Sequence, residues 1–188
     1  MNAVIAACAM LLGPFDDGAA SAARTQAIWD AAYNRMNQQI DVWFDDGDFP
    51  RATTLLKVQY ELWPSDYEVA TNLGWMHQNM QEWEDAQVVY RRYIAENPND
   101  PDRALPMMTY HFQRRQFAEI IPWGEKYLSD KSHANMFRLL ATSYERTGKL
   151  TESRAVWERY LKRAPNDGAA KRNLERVQKK ISETRTSV

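Results

Sequence analysis

Residues 67–100 read YEVATNLGWMHQNMQEWEDAQVVYRRYIAENPND. Within this stretch Val69, Ala70, Leu73, Trp75 and Met76 recur at three- and four-residue steps, which gathers apolar side chains on one face of an α-helix. Gln81 to Glu84 break the pattern, and Ala86, Val89, Tyr90, Tyr93 and Ile94 start a second apolar face. The stretch is therefore read as two helices joined by a short turn and ended by Pro98, which has no amide hydrogen to continue a helix. Each helix has about 12–14 residues, marginal alone in water. A pair of them cannot hide both apolar faces in each other, so neighbouring pairs must stack.

The rest of the chain supplies such neighbours. Pro64 in ELWPSD, Pro98 in AENPND and Pro165 in KRAPND close similar segments, 34 and then 67 residues apart, so a further unit fits in the second interval. Gly47 and Gly148 mark a turn midway through two units, each followed two residues later by an apolar residue, Phe49 and Leu150. Trp83 and Phe117 hold the corresponding places. Ala52, Ala86 and Ser153 follow three residues further on, small enough for helices to approach within about 8–10 Å. Trp43, Trp83 and Trp157 are expected as core anchors.

These positions together resemble the tetratricopeptide repeat family. Residues 67–100 carry Leu73-Gly74, Ala86, Tyr90, Tyr93 and Pro98, and residues 134–167 carry Leu140-Ala141, Tyr144, Gly148, Trp157, Tyr160 and Pro165. Residues 33–66 keep Gly47, Ala52, Leu56 and Pro64, with Gln39-Ile40 in place of the Leu-Gly pair. The resemblance implies an all-α α-solenoid of about four helix–turn–helix repeats, at 33–66, 67–100, 101–133 and 134–167, within a domain spanning 24–182. The third unit departs from the pattern. Pro106 falls early in its first helix and Pro122 inside its second; Gly124 stands where the family has a large aromatic, and Lys131-Ser132 replace the closing Pro. A drifted repeat and a bend that reshapes the binding groove both fit this.

Both ends look sealed. Ile28, Trp29, Ala32, Met36, Ile40 and Trp43 run at helical spacing and suggest one long first helix of about 20 residues covering the open face of the array. Residues 168–182 place Leu174, Val177 and Ile181 on one face with Lys171, Arg172, Arg176, Lys179 and Lys180 around it, the composition of a solvating end helix before a tail at 183–188. Residues 1–23 are read as a signal-like or disordered leader: an apolar run, AVIAACAMLLG, precedes Ala20-Ser21-Ala22, although no Lys or Arg precedes the run. This gives an expectation of a periplasmic or secreted protein, with the cytoplasm as the alternative.

Composition narrows the chemistry. The 188 residues hold one cysteine, which excludes an internal disulfide framework and any multi-thiolate metal site. No stretch approaches the roughly 20 apolar residues of a membrane-spanning helix. The net charge of −1 hides an acidic front, with 6 basic and 16 acidic residues in 1–102, and a basic back, with 13 and 6 in 138–188. The basic end is read as a solubilising face, and no nucleic acid is expected as a partner. Neither HExxH, GxSxG nor a glycine-rich phosphate loop occurs. His77 and His111 share one repeat position, about 10 Å apart at helix spacing, too far for a shared metal, so packing is expected of them. Asp45-Asp46-Gly47-Asp48 lacks the spaced ligands of a calcium loop and reads as a solvated turn. Catalytic, cofactor-binding and metal-ligating residues are thus expected to be none.

The family uses its first helices to line a groove for peptides or partner helices. Carried onto this sequence, the groove positions are Asn37, Asp41, Phe44 and Asp45; Glu68, Thr71, Trp75, Gln78 and Asn79; Asp102, Leu105, Thr109, Phe112 and Gln113; and Asn135, Arg138, Thr142, Glu145 and Arg146. Phe44, Trp75 and Phe112 would offer apolar anchors with amides and charges between them. The resemblance implies a non-catalytic module that binds another protein, in an envelope or secretion assembly. The alternative is a scaffold whose acidic and basic ends dock head to tail, giving a salt-sensitive homo-oligomer. The family's carboxylate clamp for acidic C-terminal tails is not expected, because Asn37 and Asp41 stand at its first pair and Asp102 and Pro106 at its last, which leaves its positive charge absent.

Overall fold

A computed structural model describes residues 17–186. The described residues form helices α1 (Asp17–Asp45), α2 (Phe49–Leu62), α3 (Tyr67–Asn79), α4 (Trp83–Glu96), α5 (Leu105–Gln113), α6 (Phe117–Tyr127), α7 (Ala134–Arg146), α8 (Leu150–Arg163) and α9 (Gly168–Thr186), and no strand. The fold is all-α, of the tetratricopeptide type. The chain divides into two compact units at Leu55/Leu56, within α2. Most of the expected leader lies outside the described residues; α1 begins at Asp17, and α9 runs to Thr186, into the stretch expected as a tail.

In the first unit, α1 turns into α2 through Gly47, whose φ of +75° is the left-handed conformation that glycine adopts without strain. Asp48 N–H donates to the Trp43 carbonyl at 2.7 Å. Ala52, Thr53 and Ile40 are buried. The expected stripe on α1 is not wholly covered. Ile28 is 69% and Trp29 45% exposed, and α1 has 29 residues rather than about 20.

In the second unit, α3 pairs with α4, α5 with α6 and α7 with α8, while α6 packs on α7 and α9 packs on α8. Each hairpin is closed where two helices cross. Ala86 and Ser153 are fully buried, and Ser153 Oγ donates to the Ala141 carbonyl at 2.8 Å. Gly74 is required by contact: a Cβ there would lie 2.2 Å from the Tyr90 ring. Gly124 has the same cause, since a Cβ would lie 2.6 Å from Leu140. The irregular third repeat has therefore exchanged a large aromatic for a close crossing of α6 on α7. Pro106 sits in the first turn of α5, where its missing N–H costs nothing, and α6 runs continuously through the exposed Pro122. Ser132, in place of the closing proline, is buried and donates to the Pro101 carbonyl at 2.9 Å.

One turn position recurs through the whole described chain: Gly47, Gln81, Arg115 and Gly148 all have positive φ. Gln81 and Arg115 are not glycine, so the left-handed conformation is strained there. Both of those turns carry an added tie. His77 Nδ1 lies 2.6 Å from Glu82 Oε2, and His111 Nδ1 lies 3.0 Å from Gln116 Oε1. Each histidine, buried as expected, spans the strained turn from the end of one helix to the start of the next.

Among the three tryptophans expected as anchors, Trp157 is 1% exposed and packs with Phe137, Ala141, Tyr160, Ala170 and Val177. Leu174 and Ile181 of α9 pack against the same cluster, which is the face the sequence indicated. Trp43 is half-buried. Trp83 is a correction. It is 36% exposed at the first position of α4, beside the turn, and the Arg114 guanidinium covers its ring at 4.1 Å. No helix among the described residues is long and apolar enough to cross a membrane.

Candidate functional site

Two of the Pro-x-Asp endings fix where the next helix begins, α3 after Asp66 and α9 after Asp167. Asp66 Oδ1 accepts the N–H groups of Glu68 and Val69, and Asp167 Oδ1 accepts those of Ala169 and Ala170, so both carboxylates cap free amides at a helix start. Asp100 accepts the Asp102 N–H at 2.8 Å. Tyrosines seven residues earlier join the caps: Tyr93 Oη donates to Asp100 and Tyr160 Oη to Asp167. The Ala170 N–H, with Arg138 and Tyr160, holds the Asp167 carboxyl well below the usual carboxylate range. His133 caps α7, accepting the Asn135 N–H at 3.2 Å, while its own N–H donates to Asp102.

Two hollows open along these first helices. One, about 650 Å³, lies where α3, α5 and α7 begin, with Tyr67, Tyr93, Asp100, Asp102, Leu105 and Asn135 in its wall. The other, about 500 Å³, is formed where α5 and α7 end, by Phe112, Gln113, Arg115, Phe117 and Arg146. The Phe112 and Phe117 rings meet edge to face at 5.6 Å, and the Arg146 guanidinium lies 5.8 Å from the Phe117 ring. Apolar surface beside one amide, Gln113, and two cations, Arg115 and Arg146, suits the contact of a partner segment.

The groove residues expected from the sequence divide into several groups. Phe112 and Gln113 are brought together in the second hollow, and Trp75 is 41% exposed on α3. Asn79 is exposed, and Thr109 and Thr142 are half-buried. Gln78 is engaged, with Nε2 donating to Tyr90 Oη at 2.8 Å. Arg138 and Glu145 are held within the chain. Arg138 pairs with Asp167 at 2.8 Å, and Glu145, its side chain 6% exposed, takes Arg176 at 2.7 Å and Lys180 at 2.8 Å. Asn37, Asp41 and Phe44 belong to α1 in the first unit, where the Phe44 ring lies 5.6 Å from Phe49.

The Glu145 cluster gives a pH signature. Hydrogen bonds from Arg176, and then Lys180, outweigh burial and lower its carboxyl from 4.5 to about 2. A lowered folded value means stability that is complete above pH 4.5 and is lost as pH falls towards 2. Glu145→Gln is expected to cost about 1 kcal/mol at pH 7, a difference that shrinks steadily as pH falls from 4.5 towards 2. Thermal melts of both proteins across this range measure it, and a difference constant with pH contradicts it.

One cluster outside the groove has the composition of a metal site. Ligand atoms of His77, Glu82 and Asp85 lie within 4.8 Å of one another. The same tie forms in the next repeat with the amide of Gln116, which identifies the His77–Glu82 contact as a brace for the turn.

The family model described as Tetratricopeptide repeat matches residues 68–100 and 137–167. These two hairpins match the tetratricopeptide repeat. Solved structures share the fold. MamA of AMB-1 is 17% identical, with 85% of this chain and 87% of that one covered and a TM-score of 0.57. MamA from Desulfovibrio magneticus RS-1 is 15% identical over 82% and 88%, at a TM-score of 0.59. A tetratricopeptide repeat protein from Parabacteroides merdae is 14% identical over 81% of this chain and 62% of its own, at 0.62. Among curated proteins, none matches the chain. Trp75 stands on α3, the first helix of the matched hairpin 68–100, and Phe112 and Gln113 stand on α5.

Proposed function

We propose that the chain is a non-catalytic protein–protein interaction module that holds a segment of another protein along the first helices of its second unit. The observation that carries this reading is the second hollow, where Phe112 and Gln113 come together with Arg146 at the ends of α5 and α7. Aromatic side chains at the centre of such a surface supply most of the binding energy, and the amides around them satisfy the partner's main chain. Trp75, exposed on α3, is a further aromatic on a first helix. Capture of a partner by the immobilised full chain, compared with a Trp75→Ala, Phe112→Ala variant, tests the reading.

Head-to-tail self-association has less to support it. The basic end already commits Arg176 and Lys180 to Glu145. The proposed place of action, an envelope or secretion assembly, rests on the leader-like sequence of residues 1–23.

A further inference from the structure

The 650 Å³ hollow at the starts of α3, α5 and α7 differs in chemistry from the aromatic one at their far ends. We infer that it is a pocket for a cationic side chain, the arginine or lysine of a bound segment. This deepens the proposed function by naming what the partner must present, and it rests on that reading.

The wall combines acids with the side chains of Tyr67 and of the buried Tyr93. Asp100, Asp102 and Glu96 contribute carboxylates, and among the described residues lining the hollow there is no Lys or Arg. The Tyr67 and Tyr93 rings meet edge to face at 5.9 Å. The acidic field is felt at their hydroxyls. Burial, followed by the charges of Asp102 and Asp100, raises the Tyr67 phenol, and burial with Asp100 raises that of Tyr93. A cation in the hollow would relieve this field, as guanidinium and ammonium groups do beside carboxylates.

The carboxylates are set in place before any ligand arrives. Asp100 is fixed by the Tyr93 hydroxyl and the Asp102 N–H, both at 2.8 Å, and Asp102 by the His133 N–H at 2.5 Å. These neutral donors orient the acids without cancelling their charge. Two arginines reach the rim: Arg138 donates to Asn135 Oδ1 at 3.3 Å while pairing with Asp167, and Arg103 donates to the Asn97 carbonyl at 3.4 Å with its guanidinium over the Tyr127 ring. The carboxylates they and Arg92 pair with are Asp167, Glu61 and Glu96. Glu96 is thus partly neutralised, and Asp100 and Asp102 carry the net charge that remains. Leu105 and Pro98 give the alkyl stem of a long side chain an apolar wall. The pocket and the aromatic hollow sit at opposite ends of α5, nine residues or about 13 Å apart. An extended segment reaches that span in about four residues.

The probe is N-acetyl-arginine N-methylamide, titrated into the full isotope-labelled chain while its amide resonances are followed. Expected are saturable shifts centred on Tyr67, Asp102 and Asn135, absent with the norleucine analogue and weakened by raising salt. Asp102→Asn keeps an acceptor for the His133 amide but removes a charge, and should weaken binding by about five- to tenfold. Asn135→Lys places a cation at the exposed rim with little threat to folding, and should abolish the shifts. Equal shifts with norleucine, shifts spread over other acidic surface, or no change in either variant would overturn the pocket. Trp75→Ala with Phe112→Ala should leave the titration intact. If the pocket fails while that variant still loses partner capture, only this inference falls. If the pocket binds but capture is unaltered in that variant, the groove reading falls instead.

Discussion

Trp157→Ala is expected to destabilise the second unit by about 3–5 kcal/mol. The indole is 1% exposed, meets the Tyr160 ring edge to face at 6.4 Å and packs in one cluster with Phe137, Ala170 and Val177. Truncation removes the contact that joins α8 to both α7 and α9. Stability in a repeat array is close to a sum of repeat and nearest-neighbour terms, so the loss should be local. Hydrogen exchange should show protection falling across α7, α8 and α9 while α3 and α4 keep theirs. Trp157→Phe should cost far less, because Trp157 Nε1 is buried without a hydrogen-bond partner and its removal offsets part of the lost volume. Loss of protection spread evenly over α3–α9, or a change below about 1 kcal/mol, would show that the helices do not share their apolar faces in sequence.

Trp75→Ala with Phe112→Ala is expected to reduce partner capture at least about tenfold while the helical circular dichroism stays unchanged. The two effects separate because Trp75 is 41% exposed and Phe112 half-buried, so neither belongs to the packed core. Two hot-spot aromatics worth about 1–2 kcal/mol each would account for this loss and more. Unaltered capture would move the binding surface away from the first helices.

The fold was legible because its information is periodic. Pro64, Pro98 and Pro165 set the phase, and in that phase Ala52, Ala86 and Ser153 are all fully buried. The same phase carries Gly47 and Gly148 onto Gln81 and Arg115, whose positive φ no residue type announces. Trp83 misled because an aromatic at the first position of a second helix lies at the turn edge, where Phe49, Phe117 and Leu150 are likewise half-exposed. The site was less legible. Arg138 and Glu145 occupy groove positions by spacing, but their partners Asp167 and Arg176 lie 29 and 31 residues further on, and pairing at that range follows only from stacking. The acidic hollow was legible in part. Asp102, Leu105 and Asn135 follow from the family's groove positions, whereas Asp100 belongs to the loop between repeats, where helical periodicity says nothing, and only the fold sets Tyr67 and Tyr93 beside it.

The central claim is that a partner segment lies along the first helices, and photo-cross-linking tests it most directly. A photoreactive phenylalanine at Gln113, exposed at the end of α5, is compared in cells with one at Val88, 59% exposed on the second helix α4. The account predicts a discrete adduct from position 113, lost when Trp75 and Phe112 are alanine, whose cross-linked peptide carries an Arg or Lys within about four residues of the attachment point. Adducts of equal yield from position 88, or an adduct at 113 that survives the double substitution, would contradict it.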